Sequence, residues 1–368
     1  MMVNIKEVDG NNFKIKRSAN GERVLSFKNH VCIGCGLCES TCPVEAITVE
    51  GVAPSEREYE KFTTYFSGHE KITQNYELFT NKTKDIAKLN IEDAKCVLCG
   101  MCSGVCPAGA LDLTIGEESI KDIDTYPTLI TSAEIVDDKC VYCKRCEVVC
   151  PREAITINRN LPNRADLVTG EIGVDEDKCI YCGVCAELCP ATAITVDKVS
   201  GQEKIEFDKE KCVYCLVCKK ACPMGAINAV CRSCSYGEYD LDPAKAVVTG
   251  DAIIDSETCI KCGWCAGVCP QDAPIIEKPF EGYVKVDEEK CGVCGACVDL
   301  CPCNALEIPK TTGPVRGVPV TVKEEYCIKC GACAKACPNG ALEVVRTKVN
   351  YTPTSSKAWI AAFDALLN

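Results

Sequence analysis

Cysteine is the residue type in this sequence that could carry out chemistry. It accounts for 35 of the 368 residues, whereas there are only two histidines, His30 and His69. Cysteine at this density serves either a disulfide scaffold in a secreted chain or a set of metal sites in a reducing compartment. The pattern C-x-x-C-x-x-C-x-x-x-C-P occurs eight times without a spacing error and uses 32 of the cysteines.

The eight motifs are numbered here in chain order, and in each of them a proline follows the fourth cysteine. They are Cys32, Cys35, Cys38, Cys42 (motif 1); Cys96, Cys99, Cys102, Cys106 (motif 2); Cys140, Cys143, Cys146, Cys150 (motif 3); Cys179, Cys182, Cys185, Cys189 (motif 4); Cys212, Cys215, Cys218, Cys222 (motif 5); Cys259, Cys262, Cys265, Cys269 (motif 6); Cys291, Cys294, Cys297, Cys301 (motif 7); and Cys327, Cys330, Cys333, Cys337 (motif 8).

This spacing predicts four-iron, four-sulfur clusters. A cubane cluster takes four thiolate ligands, so 32 cysteines suffice for eight [4Fe-4S] clusters. A lone C-x-x-C pair would also suit zinc or a redox dithiol, but zinc sites separate their pairs by longer loops and lack the third thiolate two residues on. In two-cluster ferredoxins the fourth cysteine ligates the other cluster of the pair. The motifs are therefore expected to work in twos.

The elements around each motif predict an α+β fold. A short apolar strand and an acidic turn precede several motifs, as in KIEFDKEKC ending at Cys212, and segments such as Ala-Ile-Thr-Val follow them. Strand, cluster loop, short helix and strand, paired twice, give tandem two-cluster [4Fe-4S] ferredoxin modules of the bacterial type. Their apolar core is small, so ligation must supply much of the folding free energy, and the metal-free chain is expected to be largely unfolded.

Sequential pairing of the motifs predicts four modules. They cover residues 1–127 with a helical insertion at about 51–90, 128–200, 201–280 with an insertion at about 229–250, and 281–350, followed by a helical tail at 351–368. The alternative is an offset pairing of motifs 2 and 3, 4 and 5, and 6 and 7, with motifs 1 and 8 joined across the chain. The short separations of motifs 4 and 5 and of motifs 6 and 7 favour this alternative mildly.

Two segments outside the motifs carry aromatic residues. The first insertion is predicted to form one or two helices with five buried anchors: Tyr59, Phe62, Phe66, Tyr76 and Phe79. We expect these helices to cover or space the modules, with docking on a partner as the alternative. The tail resembles an amphipathic helix that either packs on its own chain or docks on a partner, with four apolar residues near one face: Trp359, Ile360, Phe363 and Leu367.

The remaining cysteines and three tyrosines are assigned structural roles. Cys231 and Cys234 form an isolated C-x-x-C, interpreted as an inert or loop-stabilising pair, with a redox disulfide or a shared metal site as alternatives. Cys303 is interpreted as a small buried filler. Three tyrosines at equivalent motif positions are expected to pack against clusters rather than to relay electrons: Tyr142, Tyr181 and Tyr214.

Charge and hydropathy restrict the partners and the compartment. The formal net charge is −12, and each bound cluster would add about −2 when oxidised. Nucleic acid is thus not expected as a partner, because phosphate binding relies on an excess of Lys and Arg. The sequence shows neither a secretory signal nor a run of about 20 apolar residues, so a cytoplasmic protein without a membrane span is expected.

The motifs favour electron transfer over catalysis. Catalysis at a cluster needs an open iron position, whereas each motif set supplies four thiolates, and neither a phosphate loop nor a nucleophile–base pair accompanies them. We therefore expect no catalytic residues and no cofactor beyond the clusters. A cluster-bearing enzyme and a passive iron store are the other classes to be distinguished.

Eight such motifs, with RVLSFKNHVCIGCGLC at the first, make the chain from about residue 20 to 345 resemble the polyferredoxin subunit of archaeal formylmethanofuran dehydrogenase. The resemblance implies that the 32 cysteines are cluster ligands. It also implies a relay of low-potential electrons to a tungsten or molybdenum subunit that reduces carbon dioxide in methanogenesis. The implied partners are that catalytic subunit, a small ferredoxin subunit, and a heterodisulfide reductase or hydrogenase. Polyferredoxins of the last two complexes use the same motif and remain the alternative.

Overall fold

The computed structural model describes residues 5–18, 21–51, 61–62, 78–79, 87–161, 171–199, 203–230, 248–308 and 319–367. The strands are β1 (Ile5–Asp9), β2 (Asn12–Ser18), β3 (Glu22–Phe27), β4 (Ile47–Gly51), β5 (Lys61–Phe62), β6 (Leu78–Phe79), β7 (Ala87–Ile91), β8 (Leu111–Ile115), β9 (Glu118–Ser119), β10 (Ser132–Ile135), β11 (Ile155–Asn160), β12 (Glu171–Val174), β13 (Ile194–Asp197), β14 (Lys204–Phe207), β15 (Ile227–Val230), β16 (Thr249–Ile254), β17 (Pro274–Glu277), β18 (Phe280–Val286), β19 (Leu306–Glu307), β20 (Thr321–Val322) and β21 (Leu342–Val349). The helices are α1 (Leu37–Ser40), α2 (Met101–Gly104), α3 (Arg145–Val149), α4 (Val184–Glu187), α5 (Val217–Ala221), α6 (Trp264–Val268), α7 (Ala296–Leu300), α8 (Ala332–Ala336) and α9 (Lys357–Asp364).

Helices α1 to α8 each begin two residues after the second cysteine of their motif. The residue between is left-handed, and in six motifs it is glycine, as at Gly36 with φ of 77°. Lys144 and Leu216 adopt the same conformation in motifs 3 and 5, with φ of 68° and 63°. Because side chains other than glycine meet a steric cost there, the cysteine loop requires this bend even where the residue is not glycine.

Antiparallel strand pairs join the motifs into two-motif modules. Motifs 1 and 2 form module A, in which β3 pairs with β8 and β4 with β7. Motifs 7 and 8 form module D, in which β18 pairs with β21 and β19 with β20. The α+β fold expected from the sequence is therefore present, with short helices beside small antiparallel sheets.

The middle of the chain corrects the sequential pairing. Strands β10 and β11 pair with β17 and β16, so motif 3 joins motif 6 in module B. Strands β12 and β13 pair with β15 and β14, so motifs 4 and 5 form module C inside module B. The predicted modules at 128–200 and 201–280 are thus wrong, and the offset alternative is right only for motifs 4 and 5.

Nesting has a simple physical basis. The last residue of β11 and the first residue of β16, Asn160 and Thr249, are paired in the ladder, so the chain leaves module B and returns at neighbouring points. An insertion of this kind adds little closure entropy, because that cost rises only logarithmically with length. Separation along the sequence is consequently a weak guide to pairing.

Modules A, B and D share one apolar core, whereas module C has its own. Side chains of module A, such as Ile33 and Leu98, belong to the same buried cluster as Ile260 of module B and Ile328 of module D. An N-terminal hairpin of β1 and β2 extends the module A sheet, whose order is β1-β2-β3-β8-β9. The sequence reading did not anticipate this hairpin.

The tail packs on its own chain. Helix α9 buries Trp359 and Phe363 against Leu37 and Val105 of module A, and Phe363 stacks on Tyr351 with ring centroids 4.1 Å apart. The helix predicted for the tail is confirmed, and of its two expected roles the structure supports packing within the chain. None of the described helices is long and apolar enough to cross a membrane.

The first insertion differs from its prediction where it is described. Strands β5 and β6 pair there, with Lys61 opposite Phe79 and Phe62 opposite Leu78, so the helix prediction is wrong at these residues. The segment KFTTYF is rich in threonine and aromatic residues, which favour strands. The other predicted anchors and two cysteines lie outside the described residues: Tyr59, Phe66, Tyr76, Cys231 and Cys234.

Candidate metal centres

Cysteines of two different motifs come together around apolar cavities. Three cysteines of one motif and the fourth cysteine of its partner line each cavity, and the fourth cysteines cross over in both directions. Four such cavities are lined by Cys96, Cys99, Cys102 and Cys42; by Cys140, Cys143, Cys146 and Cys269; by Cys179, Cys182, Cys185 and Cys222; and by Cys212, Cys215, Cys218 and Cys189.

The electrostatic neighbours of the remaining motif cysteines follow the same crossed scheme. The fourth cysteine of a motif lies close enough to one or more of the first three cysteines of its partner motif to interact with them electrostatically. The sets are Cys32, Cys35 and Cys38 with Cys106; Cys259 and Cys262, in the motif of Cys265, with Cys150; Cys291, Cys294 and Cys297 with Cys337; and Cys327, Cys330 and Cys333 with Cys301.

Backbone N–H groups point at the sulfurs. The amide of Ala46 donates to Cys42 Sγ over 3.3 Å, and a donor four residues on recurs after most fourth cysteines. Within the loops, the Tyr142 amide donates to Cys140 Sγ over 3.4 Å. Such hydrogen bonds stabilise a thiolate and influence the potential of a cluster that it ligates.

The cavities fit a cluster better than a single ion. Burial raises the pKa of Cys146 and of Cys218 to about 12, so these thiols need a bound cationic iron core to be held as thiolates at neutral pH. Among the described residues, no three Cys, His, Asp or Glu side chains converge closely enough for one metal ion. A cubane instead distributes its four thiolates over four irons. The donor sets therefore match [4Fe-4S] clusters.

Three modules bring their cavities together at one place, which we call the junction. Cys35 of motif 1 lies close enough to Cys330 of motif 8 for their charges to interact. Cys303 interacts in the same way with Cys330 and with Cys262 of motif 6. The junction is thus the meeting point of the motif 1, motif 6 and motif 8 cavities, from modules A, B and D.

Module C meets module B at a separate contact. Cys143 of motif 3 and Cys215 of motif 5 both pack against an apolar group formed by Leu188, Val217 and Ala221. Across the same contact, Arg145 Nε lies 3.6 Å from a carboxylate oxygen of Glu187. Contacts between cavity-lining cysteines therefore connect all four modules, at the junction and at this second place.

The structure also reveals basic side chains that the sequence reading missed. Lys329 and Arg346 are 4% and 8% exposed, and Arg346 Nη2 donates to the Cys330 carbonyl over 2.8 Å. Burial lowers the pKa of Arg346, while the neighbouring thiols of Cys330 and Cys35 act in the opposite direction. Lys329 lies within motif 8, between Cys327 and Cys330, whereas Arg346 is brought to these cysteines by strand β21.

The residues predicted to have packing roles lie against the cavities. Cys303 is 2% exposed, which agrees with a buried filler, and its side chain hydrogen-bonds that of Cys301. Tyr142, Tyr181 and Tyr214 line the cavities of motifs 3, 4 and 5. Cys182 and Cys294 are exposed, so the motif 4 and motif 7 cavities reach the surface.

Comparison with known proteins identifies the domain type. A model of the 4Fe-4S dicluster domain matches residues 31–110, 139–193, 178–226 and 290–341, and a second 4Fe-4S dicluster domain model matches residues 251–302. These matches follow motifs that are consecutive in sequence, whereas module B joins motifs 3 and 6.

Individual relatives are similar over parts of their length. Polyferredoxin protein FwdF of Methanocaldococcus jannaschii is 44% identical over 50 residues, which are 13% of this chain and 14% of that protein. NADH-quinone oxidoreductase subunit I 2 of Geobacter metallireducens is 31% identical over 90 residues, which are 24% of this chain and 50% of that protein. The alignments thus cover no more than half of either curated relative.

One solved structure shares the fold over nearly the whole chain. It is a chain of the formate dehydrogenase, heterodisulfide reductase and formylmethanofuran dehydrogenase complex from Methanospirillum hungatei, with a TM-score of 0.58 and 24% identity. The match covers 99% of this chain and 91% of that one. Since the first dicluster model also matches more than half of the sequence, the chain belongs to the 4Fe-4S dicluster domain family.

Proposed function

We propose that the chain binds eight [4Fe-4S] clusters and carries single electrons between redox partners. The observation that carries this proposal is the crossed arrangement of the motif cysteines. Four cavities are each lined by three cysteines of one motif and one of its partner, and the electrostatic neighbours of the other motif cysteines follow the same scheme. A cluster held by four cysteines exchanges one electron with little rearrangement.

The residues of the chain would bind, shield and tune the clusters rather than catalyse a reaction. Four cysteines in every set leave no iron position open for a substrate, which argues against a cluster-bearing enzyme. Apolar side chains such as Ile47 and Leu113 exclude water from the motif 2 cavity, and backbone amides donate to the sulfurs. Limited solvent and donated hydrogen bonds are the means by which proteins set cluster potentials.

The series of cavities supports conduction rather than iron storage. An electron that arrives in module C would pass the contact near Cys143 and Cys215 into module B, and from there reach the junction. Modules A and D meet module B at the junction, so an electron can continue in either direction. A passive store would need no such continuity.

We further propose that the chain is the polyferredoxin subunit of a formylmethanofuran dehydrogenase and relays low-potential electrons to its tungsten or molybdenum subunit. The fold shared over 99% of the chain and the identity to FwdF support this assignment. The second candidate is a heterodisulfide reductase complex, since the same solved assembly also contains that enzyme. In both cases the partners are protein subunits.

Strictly anaerobic purification from the native host tests both proposals. We expect about 32 iron and 32 sulfide per chain, because each of the eight clusters holds four of each. Iron well below that value, or zinc in its place, would contradict the cluster assignment. A co-purifying tungsten or molybdenum subunit is expected for the first candidate. Its absence, with a heterodisulfide reductase or hydrogenase present, would retain the electron relay and reject that parent complex.

A further inference from the structure

The residue that follows Cys-Pro is of an unusual type in two of the eight motifs. The residue after Cys-Pro is apolar or an amide in six motifs: Val44, Ala108, Ala191, Met224, Gln271 and Asn339. In motif 3 it is Arg152, and in motif 7 it is Cys303. Motifs 3 and 7 belong to different modules, yet both residues reach the junction.

Arg152 lies among cysteines of three different cavities. Its guanidinium lies within electrostatic range of Cys303 beside the motif 8 cavity, of Cys150 of the motif 6 cavity and of Cys32 of the motif 1 cavity. Its Nη2 atom donates to the His30 carbonyl over 3.4 Å, which fixes the guanidinium against the motif 1 loop. The side chain is therefore held between modules A, B and D.

The guanidinium retains an unused donor. Within the described part of the chain, Arg152 Nε is a buried polar atom without a hydrogen-bond partner. A buried N–H of this kind is costly unless an acceptor faces it. Cluster sulfides and cysteine thiolates are acceptors, and they would lie on the sides of Arg152 that the cysteines occupy.

Cys303 offers a second donor at the same place. It is buried, and its side chain is hydrogen-bonded to that of Cys301. Trp264 Nε1 donates a hydrogen bond to the Cys303 carbonyl oxygen over 2.7 Å. Cys301 belongs to the motif 8 cavity, so a neutral Cys303 thiol would donate to a ligand of that cluster. A hydrogen bond to a ligating sulfur raises the potential of a cluster.

We propose that Arg152 and Cys303 are positioning residues that raise the reduction potentials of the junction clusters above those of the outer clusters. A reduced cluster carries one more negative charge than an oxidised one, and a fixed positive charge between three clusters favours the reduced form of each. An electron entering by any module would then gather at the junction before it leaves by another. This inference rests on the proposed function, because it requires bound clusters.

The test is an anaerobic redox titration of the eight-cluster protein, followed by electron paramagnetic resonance. Arg152→Gln removes the charge at similar size, and Arg152→Lys retains it. Lys348→Gln removes one charge from an exposed ion pair with Glu281 and is the matched control. In Arg152→Gln, the reduced-to-oxidised ratio of the clusters that are reduced first should fall about tenfold at a fixed potential. That change equals about 59 mV for a one-electron couple. Arg152→Lys and Lys348→Gln should resemble the unaltered protein.

A second pair of variants serves if Arg152→Gln fails to assemble. Cys303→Ala introduces the residue found at the equivalent position in motifs 2 and 4, and Cys303→Ser retains a hydroxyl donor. We expect a smaller fall in the ratio for Cys303→Ala and none for Cys303→Ser. An unchanged titration of an assembled Arg152→Gln, or of Cys303→Ala where Arg152→Gln does not assemble, would overturn the inference if eight clusters are bound. Fewer than eight clusters in the unaltered protein would instead count against the proposed function.

Discussion

Each fourth cysteine belongs to a cavity that the rest of its motif does not line. Cys150 ends motif 3, but its charge acts on Cys259 and Cys262 of motif 6. In return, Cys269 ends motif 6 and lines the cavity of Cys140 and the other motif 3 cysteines. This exchange matches two-cluster ferredoxins, in which the fourth cysteine of a motif ligates the other cluster of the pair.

Pairs of cysteine substitutions test this exchange at the residue level. Cys150→Ala combined with Cys259→Ala removes two ligands of one set, so we expect a loss of about four iron atoms per chain. Cys150→Ala combined with Cys140→Ala removes ligands of two sets and should cost about eight. Iron analysis together with cluster spectra distinguishes the two results. Equal losses from the two double variants, or the reverse order, would reject crossed ligation in module B.

Helix α9 joins the end of the chain to its beginning. Phe363 is fully buried, and the apolar cluster around it includes Leu37 of α1 and Met101 of α2, the helices that contain the third cysteines of motifs 1 and 2. Arg346 Nη1 donates to the Leu366 carbonyl over 2.9 Å just beyond the helix. The tail therefore packs against the cysteine loops of module A and stabilises them.

Removing the main anchor of this helix should weaken module A selectively. Phe363→Ala is expected to cost about 3 to 5 kcal/mol, because the transfer free energy of the ring is lost and a cavity remains. The measurement is iron release in increasing urea under anaerobic conditions, where two of the eight clusters should be lost at a lower urea concentration. Ile360→Ala, in the same helix but only half-buried, is the control and should shift release much less. Identical release curves for both variants would show that α9 does not support the module.

The elements near the cysteines could be predicted because their sequence signals are local. The two-residue gaps, the following proline and the short apolar segments specify strand, loop, helix and strand, and the structure has this order. The amphipathic pattern of α9 could be read in the same way. Strand β5 could not be predicted, because the spacing of the aromatic residues around Phe62 fits a helical period as well as a strand period. Arg152 was missed because its significance arises only where modules A, B and D meet.

At the scale of the whole molecule, the partner of a motif is decided by which later strands pair with the strands that flank it. Modules A, B and D share a core, and ion pairs such as Lys28 with Glu257, at 2.8 Å, connect modules A and B. Module C enters and leaves through the paired ends of β11 and β16. Sequence spacing alone could not reveal this, since motifs 3 and 4 are as close along the chain as motifs that do pair.

Module C should therefore be removable as a unit. Replacing residues 161–248 by Asn-Gly would join Asn160 to Thr249 through a two-residue hairpin, the loop that suits an antiparallel ladder of this kind. Six clusters should remain, seen as about 24 iron atoms per chain. The matched control deletes residues 201–280, which removes motifs 5 and 6 and leaves motifs 3 and 4 without partners. That variant should retain only the clusters of modules A and D, about 16 iron atoms. Because sequential pairing predicts the opposite order for the two deletions, the iron content of the pair decides between nested and sequential modules.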